Sequence, residues 1–233
     1  MTAGSASGAR PYDVITFDCY GTLIDWEAGI GRAFVEAARA DGMGLTPATV
    51  LAVYHEVEPA VQAEAYRSYR VVLTEAARRV AAKLGWRLDE GRARFLPESL
   101  PDWPPFVDTN PALARLAAAG YRLGILSNVD DDLLAGTRRH FTVDFDPDLV
   151  VTAQQVGAYK PARPHFDTAR QRISGRRWLH AAQSYFHDVV PARAFATPVA
   201  WINRKGERAG AAGRPDREFR TLAELADWLA PTR

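Results

Sequence analysis

Apolar positions along the chain fall into short continuous runs separated by segments of helical rhythm. Tyr12 to Phe17 is β-branched and aromatic and is soon followed by Gly21, which predicts a short buried strand. Residues 26 to 105 read differently: Ile30, Phe34, Ala37 and Ala38 recur at helical spacing, then Val50, Val53, Tyr54 and Val57, then Tyr69, Leu73, Ala76, Val80 and Leu84. Pro97, Pro101, Pro104 and Pro105 close that segment. A helix over Pro111 to Ala119, stopped by Gly120, leads into strands over Tyr121 to Leu126, Leu149 to Thr152, Trp178 to Ala182 and Val199 to Ile202, with helical stretches among them. This alternation predicts an α/β fold, a parallel sheet covered by helices on both faces. Residues 205 to 220, rich in Gly, Arg and charge, read as a solvated loop before an amphipathic helix, Leu222 to Leu229.

Composition narrows the class. With 233 residues, 47% hydrophobic and 24% charged, the chain supports one full core and a smaller appended one. A net charge of +1 gives no electrostatic case for a nucleic-acid partner. No apolar run approaches the roughly eighteen residues that span a bilayer, so no membrane partner is expected. Met1 to Arg10 lacks an apolar core and reads as a frayed, disordered terminus rather than a signal peptide. A single cysteine, Cys19, cannot close an internal disulfide, and the expected compartment is a reducing cytoplasm.

The candidate chemistry begins at Asp18, which follows the first predicted strand. In open α/β sheets ligands bind at the carboxyl ends of the strands, which is where this carboxylate would lie. Gly21 permits a sharp turn there. An isolated D-x-x-G is ordinarily a helix cap or a turn, so the rest of the chain decides. Ser127 and Asn128 directly follow another strand, an arrangement that also fits a local turn. Lys160 precedes Pro161, and Asp188 lies beyond the strand at 178 to 182.

Phe17-Asp18-Cys19-Tyr20-Gly21-Thr22-Leu23-Ile24-Asp25 resembles the first motif of the haloacid dehalogenase superfamily. Ile125-Leu126-Ser127-Asn128, Gly157-Ala158-Tyr159-Lys160-Pro161, His187-Asp188 and Pro198 to Arg204 follow in the family's order, so the resemblance spans roughly residues 12 to 204. It implies a Rossmann-like core, residues 11 to 25 and 106 to 233, with a helical cap domain, 26 to 105, inserted after the first strand. It also implies that Asp18 is a covalent nucleophile, assisted by Thr22, Ser127, Lys160 and Asp188. Cys19 and Tyr20, through their backbone N–H groups, and Asn128 would bind the substrate carboxylate. Lys160 would keep Asp18 ionised, and Asp188 would orient or deprotonate the water that cleaves the ester.

Tyr20 discriminates between branches. The superfamily's phosphatases carry a second Asp there, which protonates a departing alkoxide; a halide leaves as a stable anion and needs no proton. Tyr-Gly-Thr is similar to the L-2-haloacid dehalogenase (type II) branch. The further acid that phosphatases use with Mg²⁺ is absent, because Ala192 stands there. No metal ligand set and no cofactor is therefore expected. The alternatives are a Mg²⁺-dependent small-molecule phosphatase and a non-catalytic protein on the same fold.

The chain also departs from the dehalogenase pattern. Gln183, Ser184 and Tyr185 replace the usual Ser and Asn before the last Asp, Phe166 replaces a Tyr, and His55 aligns with the cap arginine that receives halide. Arg67 and Arg70 are the nearest cations, expected with Tyr66 and Tyr69 to close over Asp18. His187 is expected to be structural, because consecutive residues at a strand end face opposite ways. The expected partner is a small-molecule carboxylate, and a homodimer is compatible with the sequence.

Overall fold

A computed structural model describes residues 10–231; apart from Arg10, the stretch expected to be disordered lies outside them. The chain starts with β1 (Val14–Phe17) and continues into four helices, α1 (Trp26–Ala40), α2 (Pro47–Gln62), α3 (Tyr69–Lys83) and α4 (Phe95–Ser99). It then alternates through α5 (Thr109–Ala118), β2 (Arg122–Ser127), α6 (Asp131–Arg138), β3 (Val150–Thr152), α7 (Ala153–Val156), α8 (Pro164–Ile173) and β4 (Trp178–Ala182). The last elements are α9 (Val190–Ala194), β5 (Val199–Ile202), β6 (Arg217–Phe219) and α10 (Leu222–Leu229).

The strands form one parallel sheet in the order β3-β2-β1-β4-β5-β6. β1 is central, with Ile15 opposite Leu123 on one side and Leu179 on the other. Its residues are buried on both faces, which is why its sequence reads as a continuous apolar run rather than an alternating one. The chain builds outward from β1 to β3, then returns to the far side of β1 for β4 to β6. That reversal opens a crevice at the carboxyl ends of β1, β2 and β4, the place where doubly wound sheets bind ligands.

The segment read as a solvated loop, 205 to 220, contains β6, which pairs with β5 through Trp201 opposite Glu218. A three-residue edge strand made of Arg, Glu and Phe carries no apolar alternation, and its charges suit an edge facing water. β1 also begins at Val14, two residues later than the apolar run suggested.

The inserted helices are capped by their own sequence. Asp25 accepts from Ala28 N, Thr46 from Thr49 N with Pro47 opening α2, and Ser68 from Val71 N. They pack through Ile30, Phe34, Tyr54, Val57, Leu73 and Val80, all buried in one cluster. Two strands of chain join the insertion to the core and bond to each other, Asp25 N to Pro104 O and Phe106 N to Leu23 O. A further tie is Asp130, just after β2, whose two carboxylate oxygens accept from Tyr69 N and Arg70 N at 2.8 Å each. A core carboxylate thus caps α3 and seats the cap over the sheet edge.

Candidate active site

Asp18 prolongs β1 by one hydrogen bond, its N–H donating to Ala181 O on β4 at 3.1 Å. Gly21 then takes φ +98°, a conformation that a side chain would strain, and the turn brings Thr22 back over Asp18. The Thr22 hydroxyl accepts from Gln183 N at 2.9 Å, so its hydrogen goes to Asp18 Oδ2 at 2.8 Å. Asp18 Oδ1 accepts from Lys160 Nζ at 2.9 Å. With each oxygen held by a different donor, the carboxylate has a fixed orientation, and it lies at the floor of a cleft of about 480 Å³.

Lys160 is 1% exposed, and its ammonium uses its three hydrogens on Asp18 Oδ1, Leu126 O at 2.8 Å and Asp188 Oδ1 at 2.6 Å. Asn128 fixes the backbone that carries it: Asn128 Oδ1 accepts from Lys160 N at 2.7 Å and Asn128 Nδ2 donates to Lys160 O at 3.0 Å. Asn128 borders the cleft, and its amide oxygen and one amide hydrogen are spent on Lys160, so it positions Lys160 and keeps a second Nδ2 hydrogen.

Asp188 sits in a π-helical turn, Tyr185–Val189, of the kind that recurs at functional sites. Its Oδ1 takes both Lys160 and His180 Nε2, the latter at 2.9 Å. Its Oδ2 is buried and has no partner. The same turn corrects the expectation for His187. A helical turn does not alternate faces, so His187 lines the cleft together with Asp188. Ser184 Oγ accepts from His187 N and faces His187 Nδ1, both at 3.1 Å, fixing the ring, while burial pushes its pKa down.

Two carboxylates share one ammonium in this cluster. Burial works against the charge on Lys160, but Asp18 and Asp188 outweigh it and hold the ammonium protonated. Asp188 is likewise penalised by burial, yet Lys160 and His180 keep its carboxyl below the usual range. Asp18 moves upward, chiefly by burial and further by the charge of Asp188, with Lys160 and Thr22 pulling the other way.

The other sequence candidates are distributed unevenly. Ser127 is buried beside the cleft, and its hydroxyl has no partner. Tyr20 also lines the cleft, with its hydroxyl 2.9 Å from Thr137 Oγ1 and its ring edge-on to Trp103. The Cys19 side chain is wholly buried and does not border the cleft; burial raises its thiol pKa far above the usual range, which excludes a thiolate role. Arg67 and Arg70 do not meet their expectation: they line a separate surface groove, Arg67 paired with Glu64 and Arg70 with Asp132. The cleft's cap wall holds instead Trp26, Tyr54, His55, Glu58, Tyr69 and Trp103. Tyr66 donates to Ala153 O, which ties the cap to the core.

Glu58 was missed by sequence reasoning. Burial pushes its pKa up to about 7, with hydrogen bonds from Tyr69 and Gln62 opposing the shift. The signal was a carboxylate one helical turn from Tyr54 and His55, on the side of the helix that carries the apolar Val57 and Val61.

A family model described as haloacid dehalogenase-like hydrolase matches residues 12–215. The chain belongs to the haloacid dehalogenase-like hydrolases. It is 30% identical over 224 residues to the (S)-2-haloacid dehalogenase H-109 of Pseudomonas putida, covering 94% of this chain and 99% of that one. The haloacetate dehalogenase H-2 of a Moraxella strain is 30% identical over 119 residues, 51% of this chain and 53% of its own. Among solved structures, the L-2-haloacid dehalogenase of Xanthobacter autotrophicus with chloropropionic acid covalently bound superposes with TM-score 0.80 at 20% identity, over 95% of this chain and 100% of that one. A HAD-hydrolase of Bacillus subtilis bound to magnesium, YfnB, reaches TM-score 0.76 at 17% identity, over 94% and 98%. The fold alone therefore does not choose between these chemistries, and the side chains must.

In this haloacid dehalogenase-like hydrolase the side chains do not suit a Mg²⁺ ion, which asks for near-octahedral oxygen donors. The two carboxylates at the sheet edge are already bridged by the Lys160 ammonium, and Tyr20 and Ala192 stand where further acids would be needed. Among the described residues no three His, Cys, Asp or Glu side chains are grouped to hold a metal.

Proposed function

We propose that the chain hydrolyses 2-haloalkanoic acids to 2-hydroxy acids through an ester on Asp18. The observation that carries this is Tyr20, which sits in the cleft beside Asp18 with its hydroxyl bonded to Thr137 in the place of a leaving-group acid. A halide needs no such acid, whereas an alkoxide does. The (S)-2-haloacid specificity printed for the Pseudomonas relative supports the same substrate class.

In the first step an oxygen of Asp18 attacks C2 of the substrate, the new C–O bond forms, and the C–X bond breaks with its electron pair leaving on the halide. Lys160 favours the ionised form of Asp18 against the upward pull of burial, and the largely buried carboxylate is stripped of the water that would blunt it. The substrate carboxylate is held by the Ser127 hydroxyl and by the backbone N–H groups of Cys19 and Tyr20. In the second step Asp188 Oδ2 takes a proton from water, and the resulting hydroxide adds to the Asp18 carbonyl carbon. The acyl C–O bond then breaks, the proton held on Asp188 passes back to the departing alkoxide oxygen, and the 2-hydroxy acid leaves with the oxygen that began on Asp18.

In this reading residues 26 to 105 act as a cap domain that excludes bulk water, with 11 to 25 and 106 to 233 as the catalytic core. The partner is a small carboxylate; neither nucleic acid nor membrane is required, and no helix among the described residues is long and apolar enough to cross a membrane. A cytoplasmic enzyme fits the single buried cysteine, and a homodimer is compatible with the mechanism. The test is a panel of 2-chloro- and 2-bromoalkanoates alongside phosphate esters, assayed for halide and for phosphate. Halide release with no phosphate supports the reading; phosphate release that depends on Mg²⁺ overturns it.

A further inference from the structure

His180 lies on β4 with 0% exposure and does not border the cleft, so it touches no substrate. It is nonetheless the middle of a continuous hydrogen-bonded chain. Trp178 Nε1 is a donor only, and it donates to Thr16 Oγ1 at 2.8 Å. The Thr16 hydroxyl lies 2.9 Å from His180 Nδ1 and holds that side of the ring. On its other side the ring meets Asp188 Oδ1, a carboxylate oxygen that can only accept, so Nε2 carries a proton and donates it at 2.9 Å. Phe166 packs edge-on against the imidazole, its ring centroid 5.5 Å away, and closes off other orientations.

The consequence lies at Asp188. Two donors, His180 and Lys160, converge on Oδ1, which leaves Oδ2 as a buried acceptor without a partner. A buried unsatisfied oxygen is costly and ordinarily has a function or a water behind it. A carboxylate pinned through one oxygen presents the other in a fixed direction, as a base that must receive a proton from water requires. We propose that His180, oriented by Thr16 and Trp178, is a positioning residue for the ester-hydrolysis step, holding Asp188 so that Oδ2 faces the acyl carbon on Asp18. This rests on the dehalogenase reading given above, and it separates the two chemical steps. Lys160 serves both carboxylates, whereas His180 serves only Asp188.

The test is pre-steady-state halide release by wild type, His180→Leu and His180→Gln, with intact-protein mass spectrometry to count the ester. In His180→Leu the first equivalent of halide should appear at the wild-type rate, while turnover falls at least about tenfold and the ester accumulates. Glutamine places an N–H close to the position of Nε2, so His180→Gln should restore most of the turnover. If the leucine variant, folded by circular dichroism, slows both steps equally, or if glutamine restores nothing, the proposal is wrong. The ¹⁵N shifts of the His180 ring supply a readout independent of activity: an Nε2–H tautomer supports the arrangement, and an Nδ1–H tautomer overturns it. Wild type that releases no halide from any 2-haloacid while showing the Nε2–H tautomer would refute the proposed function and, with it, the hydrolytic role, leaving His180 only its hold on Asp188.

Discussion

Lys160 Nζ bridges Asp18 Oδ1 and Asp188 Oδ1 at 2.9 and 2.6 Å, with all three side chains buried at the cleft. In the proposed mechanism one ammonium therefore holds both the nucleophile of the first step and the base of the second, and among the described residues the other side chains bonded to the two carboxylates are Thr22 and His180. Removing the ammonium as Lys160→Met leaves two buried carboxylates to repel each other. Breaking a buried pair from one side costs about 3–5 kcal/mol, so denaturant unfolding at pH 7 should show a loss of that order. The loss should shrink toward pH 4 as the carboxyls take up protons. Halide release should fall sharply, because Asp18 then lacks the cation that favours its charged form against burial and the Asp188 charge.

Asp188→Asn tests the division of labour between the carboxylates. Attack by Asp18 does not need Asp188, so the variant should release close to one equivalent of halide and then stall. Intact-mass analysis should show the ester on the peptide containing Asp18. A variant that releases no halide at all would place Asp188 in the first step.

His165 makes the fold acid-sensitive through a route separate from catalysis. Burial, and then the Lys160 charge, depress its pKa to about 3, and its Nε2 lies 3.1 Å from Ser127 O. The unfolded chain takes up a proton near pH 6.5 that the folded one refuses until about pH 3. Unfolded protein thus binds more protons across that window, and this group's contribution falls as pH drops, by up to about 1.4 kcal/mol per unit. His165→Gln, which can still donate to Ser127 O, should lose that part of the slope between pH 6 and 4 relative to wild type. Equal slopes in the two proteins would rule out a buried neutral imidazole.

Chelation separates the two hydrolase chemistries. With Lys160 seated between Asp18 and Asp188, and Tyr20 in place of a further acid, dehalogenation should be unchanged in EDTA. Activity lost in EDTA and restored by Mg²⁺ would contradict the side-chain reading of the site.

Much of this was legible in the residues, for a physical reason. The inner strands are buried on both faces, so their apolar runs stand out, and the three groups at the centre of the candidate site, Asp18, Lys160 and Asp188, lie after a strand or in a motif that the topology carries to one edge. What escaped was set by tertiary contact. β6 is a charged edge strand with no alternation of its own. Arg67 and Arg70 lie near the right place in the chain, but Glu64 and Asp132 draw their side chains to the surface. The π-turn that aims His187 and Asp188 into one cleft has no sequence period that separates it from a strand extension. His180 read only as one position of a strand, because its partners Thr16 and Trp178 are brought to it by the pairing of β1 with β4.

The central claim is the covalent ester on Asp18, and one measurement addresses it directly. In a single turnover with enzyme in excess in ¹⁸O-water, the product hydroxyl oxygen should come from Asp18, so the first 2-hydroxy acid should be unlabelled and the heavy atom should remain in the peptide containing Asp18. Label in the product of that first turnover, with none in the peptide, would mean that water attacks the substrate carbon itself and that Asp18 serves as a base.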